Sequence, residues 1–301
     1  MTPPTGRPTG APPDSPPDSP PDSPLGLIAG EGVFPLLVAR GARAAGRSVI
    51  CAALADSAWP ELAEECDRFR WVGIARIGQW VRLLREAGCT QAIMVGRVKK
   101  TRMYGRATYL RYIPDLRTLR LYLTTLRHDR RPYAVLKAVT DELAKEGITL
   151  IDSTRYTPEQ LTTPGVLTRR APTDSQWQDI RFGWEICKTV SRLDIGQSIG
   201  VLDKDVIAVE ALEGTDAMIE RAGALCRRGG WTLLKVANSA NDMRSDVPTV
   251  GVTTIEKLAA AKAACVVLEA GRTMLLEKQK VLEMADRFKI AIVGVDANTP
   301  P

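Results

Sequence analysis

Two short stretches of this 301-residue chain carry side chains suited to phosphate or metal chemistry. The first, VEALEGTDAMIERAG (209–223), places Glu213 and Asp216 around Gly214 and Thr215, where an apolar run gives way to a helical pattern. Two readings are open. Thr215 or Asp216 caps the helix and Met218, Ala222 and Leu225 form its buried stripe, or the carboxylates and the first-turn N–H groups form an anion or metal–phosphate site. The second stretch, NDMRSDVPTVG (241–251), alternates Asp242, Arg244 and Asp246, and Pro248 keeps it from being helical. An extended backbone would project all three to one side. That set combines a metal ligand or water activator with a phosphate clamp, and the plainer reading is a solvated loop closed by its own salt bridge.

Other chemistries lack their residues. The single histidine, His128 in LRHDRR, offers no second imidazole for zinc and no Ser-His-Asp triad. Six cysteines are scattered without a C-x-x-C pair and read as buried thiols of a cytoplasmic protein. Carboxylates with a hard cation remain, because Mg2+ takes oxygen ligands and needs only one or two carboxylates beside substrate phosphate. The net charge of +6 concentrates at GRVKKTRMYGR and RHDRR, which suits an acidic ligand or an anionic membrane surface. No nucleic-acid motif accompanies it, and with 5% aromatic residues stacking platforms are scarce, so no nucleic-acid partner is expected.

The elements that must position these residues read as α/β in both halves. Residues 1–24, with their PPDS repeat, read as a disordered tail without the apolar core of a signal peptide, and nowhere do 18 apolar residues run uninterrupted. LGLIAGEGVFPLLVARGARAAG then reads as strand, glycine turn and helix, with Leu36, Leu37, Ala39 and Ala44 on the helix. Gly30 and Gly32 would let backbone N–H groups approach an anion, although the turn lacks the third glycine of a dinucleotide fingerprint. Strands follow at SVICAAL and CTQAIMVGRV, the latter ending at Gly96-Arg97, where open α/β sheets bind ligands. Two helices, about 116–129 and 132–147, and a strand ITLIDS complete the first half. Near Thr173 a long helix begins, leading to DIGQ and a hairpin with Asp203-Lys204-Asp205 at its turn. WTLLKVA, ACVVLEAG and IAIVGVD read as strands alternating with helices, the last of which buries Val281, Met284, Ala285 and Phe288.

Taken in order, LGLIAGEGVFPLLVARGARAAG, IMVGRVK, RLDIGQSIGVLDKDVIAVEALEGTDAMIERAG, DMRSDVPTVGVTTIEKL and LEAGRTMLLEK resemble the LpxI-type UDP-2,3-diacylglucosamine pyrophosphatases of lipid A assembly. The likeness runs from about residue 25 to 296. It implies a Rossmann-like N-terminal domain (25–165), a C-terminal catalytic α/β domain peculiar to the family (166–301), and a homodimer that is cytoplasmic and peripheral to the inner membrane. It also implies hydrolysis of the lipid-nucleotide substrate to UMP and 2,3-diacylglucosamine 1-phosphate, with Mg2+ or another divalent ion such as Mn2+ and with water attacking the sugar-side phosphorus. The D-x-P-T aspartate matches Asp246, which becomes the candidate catalytic residue. Candidate metal ligands are Asp246, Asp216, Glu213 and Asp242. Candidate substrate-binding residues are Gly30, Gly32, Gly96, Arg97, Asp194, Gln197, Thr215, Lys235, Arg244 and Thr249. The chain departs from the family pattern at Asn238–Asn241, at Glu31 and at Pro132-Tyr133. The alternative is therefore a catalytically impaired relative that binds a nucleotide-sugar or acylated sugar phosphate as a regulator.

Overall fold

An apolar run whose residues are all buried forms β1 (Leu25–Ala29), the middle strand of a five-stranded sheet in the computed structural model. The structure describes residues 23–98, 113–127, 132–237, 243–244 and 247–296. After β1 come α1 (Phe34–Ala44), β2 (Val49–Leu54), β3 (Arg68–Val72), α2 (Ile77–Glu86) and β4 (Gln91–Val95). Then follow α3 (Leu116–Thr124), α4 (Pro132–Ala144) and β5 (Thr149–Leu150). The strands are all parallel, in the order β3-β2-β1-β4-β5. Because side chains alternate across a strand, Leu25, Leu27 and Ala29 pack with Phe34 and Val38 of α1, while Ile28 packs with Trp80 and Leu84 of α2. Strand order reverses between β1 and β4, so their carboxyl ends frame the crevice where such sheets bind ligands.

The second half builds a six-stranded mixed sheet. Its elements are β6 (Gly165–Val166), α5 (Asp174–Arg192), β7 (Ser198–Leu202), β8 (Asp205–Val209), α6 (Thr215–Leu225) and β9 (Thr232–Lys235). β10 (Thr249–Val250), α7 (Val252–Ala260), β11 (Cys265–Glu269), β12 (Met274–Leu275), α8 (Lys278–Arg287) and β13 (Ala291–Val295) complete it. The order is β6-β13-β11-β9-β7-β8, with β13, β11 and β9 parallel, and β10 pairs separately with β12. Local chemistry explains several boundaries. Thr173 and Gln176 form a reciprocal capping box that starts α5. Asp203 and Lys204 adopt left-handed φ values of 52° and 59°, the conformation a two-residue hairpin turn between β7 and β8 requires.

Some expectations need correction. Leu225 is 66% exposed and Phe288 42% exposed, and the α6 face is completed by Ile219 instead. α3 stops at Thr124 and α4 at Ala144, both short of the expected ends. β3 escapes the apolar pattern because it is an edge strand whose Arg68, Arg70 and Trp71 are exposed. The cysteines are all unpaired and buried except Cys66, which is half-buried. Residues 1–22 and His128 lie outside the described residues.

Candidate functional site

The two halves meet at a cleft of about 470 Å³. From the first half it is lined by Gly32, Val33 and Phe34 at the start of α1, by Gly96 and Arg97 after β4, and by Ser153 after β5. From the second come Gln197, Glu210, Glu213, Thr215, Asp216, Lys235 and Thr249.

Lys235 ends the buried strand β9 and is only 4% exposed, so its ammonium must be met by polar atoms. Its Nζ donates to Thr215 Oγ1 at 2.7 Å and to Ser198 Oγ at 3.4 Å. Thr215 in turn donates to Glu210 Oε1 at 2.9 Å. Glu210 is itself buried, and among the described residues its other oxygen, Oε2, has no hydrogen-bond partner; the same is true of Gln197 Oε1. Beneath this group Cys187 points its thiol at the carbonyls of Leu234 and Gln197. Burial pushes that thiol up to about 12 although nearby Lys235 pulls the other way, so Cys187 is an inert packing residue.

Helix α6 begins without a side-chain cap. Gly214 is its N-cap residue with φ 84°, which a side chain would strain, and Thr215 spends its hydroxyl on Glu210 and Lys235. The capping reading of Thr215 and Asp216 is thereby corrected, and a helix N-terminus faces the cleft, as α1 does through Gly32–Phe34. Glu213 folds back, accepting from Ala211 N at 3.1 Å and from Arg221 Nη2 at 2.6 Å. Backbone N–H donation, its own first, together with Arg221 holds its carboxyl below the usual range. Asp216 lies 3.5 Å from Lys257 Nζ.

The glycine turn has a different use from the expected one. Gly30 N donates to Val95 O at 2.8 Å, and Glu31 and Arg97 exchange backbone bonds of 2.8 and 2.9 Å. A Cβ on Gly30 would lie 2.7 Å from Arg97 O, and one on Gly96, where φ is 98°, would lie 2.6 Å from the Gly30 carbonyl carbon. Gly30 thus serves close backbone packing against Gly96, and its N–H is committed to a strand carbonyl.

Of the expected site residues, the cleft gathers Gly32, Gly96, Arg97, Gln197, Thr215, Lys235, Thr249, Glu213 and Asp216. It does not gather Asp194, exposed in the left-handed turn that ends α5, or Arg244, exposed in a turn. Met243 and Arg244 are not extended as expected, and the Met243 carbonyl accepts from both the N–H and the hydroxyl of Ser153 at 3.1 and 2.8 Å. Asp242 and Asp246 lie outside the described residues. Among the described residues no three His, Cys, Asp or Glu side chains cluster as a metal centre. Glu210, Ser198 and Ser153 were missed. The available signal for Glu210 was a lone carboxylate within the apolar run VIAVEAL.

Comparison with known proteins places this geometry in a family. Residues 24–160 match the model of the LpxI N-terminal domain and residues 163–293 that of the LpxI C-terminal domain. The chain is also similar to the UDP-2,3-diacylglucosamine pyrophosphatase LpxI of Caulobacter vibrioides, at 34% identity over 288 residues that cover 92% of this chain and 99% of the relative. With both domain models matched in order and a relative aligned along nearly its whole length, this chain belongs to the LpxI family.

Proposed function

We propose that this protein hydrolyses the pyrophosphate of UDP-2,3-diacylglucosamine, the substrate named for its Caulobacter relative, to UMP and 2,3-diacylglucosamine 1-phosphate in lipid A biosynthesis. The observation that carries the reading is the buried Lys235–Thr215–Glu210 chain at a cleft onto which the N-termini of α1 and α6 open. A pyrophosphate needs its negative charge neutralised as the bridging bond breaks. Lys235, Arg97 and the first-turn N–H groups of the two helices supply cationic and dipolar character from both domains. Thr215 fixes the Lys235 ammonium, and Glu210 fixes Thr215, so the charge is in place before substrate arrives. Asp246 is the proposed catalytic carboxylate, supported by the D-x-P-T pattern and by its neighbour Val247, which lines the cleft. Its role is to orient the attacking water.

A divalent cation, Mg2+ or Mn2+, when bound supplies charge neutralisation and a more acidic water. The candidate carboxylates for it are Asp246, Asp242, Asp216 and Glu213, although Arg221 already holds Glu213 and Lys257 lies beside Asp216. The donor chemistry fits a hard ion, since Glu210 Oε2 and Gln197 Oε1 are buried oxygens lacking donors. The parallel strand order β3-β2-β1-β4-β5 supports a Rossmann-like reading of the first half. The proposed division into domains 25–165 and 166–301 is supported by β6, which begins at Gly165 and pairs with β13 of the second half.

No helix among the described residues is long and apolar enough to cross a membrane. Peripheral contact with an anionic membrane from the cytoplasmic side is part of the proposal. It is supported by α3, which exposes Leu116, Leu119, Tyr122 and Leu123, and by residues 97–131, which hold eleven of the 41 Lys and Arg residues against Asp115 and Asp129. A homodimer is also proposed, on the family resemblance alone.

The test is UMP release from UDP-2,3-diacylglucosamine by purified protein with Mg2+ in 18O water. UMP with the label in the lipid phosphate is the expected result. Binding of the lipid nucleotide without UMP release would overturn it in favour of a binding-only relative.

A further inference from the structure

Two oxygens of residues lining the cleft stand out because, among the described residues, nothing donates to them. Oε2 of Glu210 and Oε1 of Gln197 are both buried and unpartnered. Glu210 is 6% exposed, so water does not readily make good the loss, and a buried carboxylate oxygen left alone is costly. Glu210 lies opposite Ser198 at the open end of the β7–β8 hairpin, and Gln197 is the residue before Ser198. Glu210 N donates to the carbonyl of Ser198 at 2.9 Å, and Gly196 packs so closely that any Cβ there would overlap the Glu210 carbonyl. The residues on either side of Gln197 therefore both touch the Glu210 backbone, and both side chains line the same cleft.

The other acidic groups of the cleft differ in this respect. Glu213 already accepts from Arg221 and Ala211, and Asp216 faces Lys257. Glu210 has its Oε1 held by the neutral hydroxyl of Thr215, which fixes the carboxylate without neutralising it. A carboxylate anchored through its other oxygen and an amide oxygen, on residues that line one cleft with phosphate-binding groups, form a donor set suited to a hard divalent cation.

We propose that Glu210 Oε2 and Gln197 Oε1 are protein ligands of a divalent cation, whose remaining positions are filled by water and a substrate phosphate oxygen. The proposal deepens the functional reading by naming ligands, and it rests on that reading only for the cation's use in hydrolysis. Because Lys235 sits one hydrogen bond further along, the site is weak in the free protein and strengthens when a phosphate offsets the local positive charge.

The test is Mn2+ binding followed by electron paramagnetic resonance on the full chain, with and without UMP, alongside melting curves. Wild type is expected to bind Mn2+ more tightly with UMP present. Glu210→Gln, which keeps the shape and removes the charge, should weaken binding at least tenfold while remaining folded. Gln197→Met, of similar volume, should weaken it several-fold and decides the matter if Glu210→Gln does not fold. Unchanged Mn2+ affinity in either folded variant overturns the site, as does a loss confined to Glu213→Gln. A wild type that releases UMP while folded Glu210→Gln keeps its Mn2+ affinity sinks this assignment and leaves the hydrolase reading standing. Mn2+ bound through Glu210 in a protein that never releases UMP supports the site and removes the hydrolase reading.

Discussion

The ammonium of Lys235 meets the hydroxyl of Thr215 at 2.7 Å, and the same hydroxyl donates to Glu210, so one oxygen joins the end of β9 to the residue after β8. Thr215→Val keeps the volume and deletes that oxygen. Stability should fall by about 1–3 kcal/mol, since two buried polar groups each lose a partner. The kcat/KM for the lipid nucleotide should fall more than tenfold, and Thr215→Ser should recover most of it. A variant that melts lower yet keeps wild-type kinetics would reduce Thr215 to a structural residue.

Asp246→Asn should abolish UMP release while leaving the melting temperature and lipid-nucleotide binding close to wild type. The substitution preserves volume and removes the charge that orients water and attracts a cation. Steady-state rates across a Mg2+ titration, with binding measured separately, check it. A folded variant with a near-normal rate takes Asp246 out of the mechanism.

Gly30→Ala and Gly96→Ala should each destabilise the first domain, because the added methyl meets backbone 2.6 to 2.8 Å away. The cost is about 1–3 kcal/mol, and Gly96 adds the strain of its positive φ. Urea unfolding reads it. A stable Gly30→Ala protein would show that the strands relax apart more easily than their hydrogen bonds indicate.

Glu142 accepts from Arg117 Nε at 2.8 Å and from Lys145. Its carboxyl is held below the usual range, by Lys145 first and then Arg117, against the opposing pull of burial. A folded-state value below the unfolded one means the contribution is present above about pH 4.3 and is lost as pH falls through the folded value. Urea midpoints measured from pH 3 to 7 should therefore drop more steeply in acid for wild type than for Glu142→Gln. Parallel curves would place the acid sensitivity elsewhere.

Leu116 is 86% exposed and Leu123 57% exposed on α3. If this helix rests on a membrane, the Leu116→Glu, Leu123→Glu double variant should lose flotation with phosphatidylglycerol vesicles while its rate on detergent-dispersed substrate changes less than twofold. Binding of wild type should weaken with salt. Sedimentation that shows a wild-type dimer and a monomeric double variant would instead assign the face to a second copy of the chain.

The architecture was legible where burial is two-sided. β1, β2, β9, β11 and β13 are nearly continuous apolar runs, as strands covered on both faces must be. β3 was not legible, because an edge strand bearing Arg68 and Arg70 has the composition of a loop. β6, β10 and β12 have two residues each, too few for any periodicity. In the cleft, Thr215 was singled out by its own stretch and Lys235 only through the family resemblance, whereas Glu210 was hidden because a carboxylate after an apolar strand reads as its solvated end. Only the three-dimensional neighbourhood of Lys235 and Thr215 explains a carboxylate buried there. Gly30 misled in the opposite direction, since a glycine needed for strand-to-strand contact is indistinguishable in sequence from one needed for contact with phosphate.

The back-to-back contact of Gly30 and Gly96 also bears on inhibitor selectivity. In dinucleotide-binding sheets the first turn keeps its backbone donors for the cofactor's pyrophosphate, whereas here those of Gly30 and Glu31 are committed to Val95 and Arg97. A compound designed to imitate a nicotinamide dinucleotide would meet strand backbone at that point. Compounds that enter from the opposite wall, engaging Lys235 and Thr215, would address a surface that nicotinamide-dependent dehydrogenases have no reason to present.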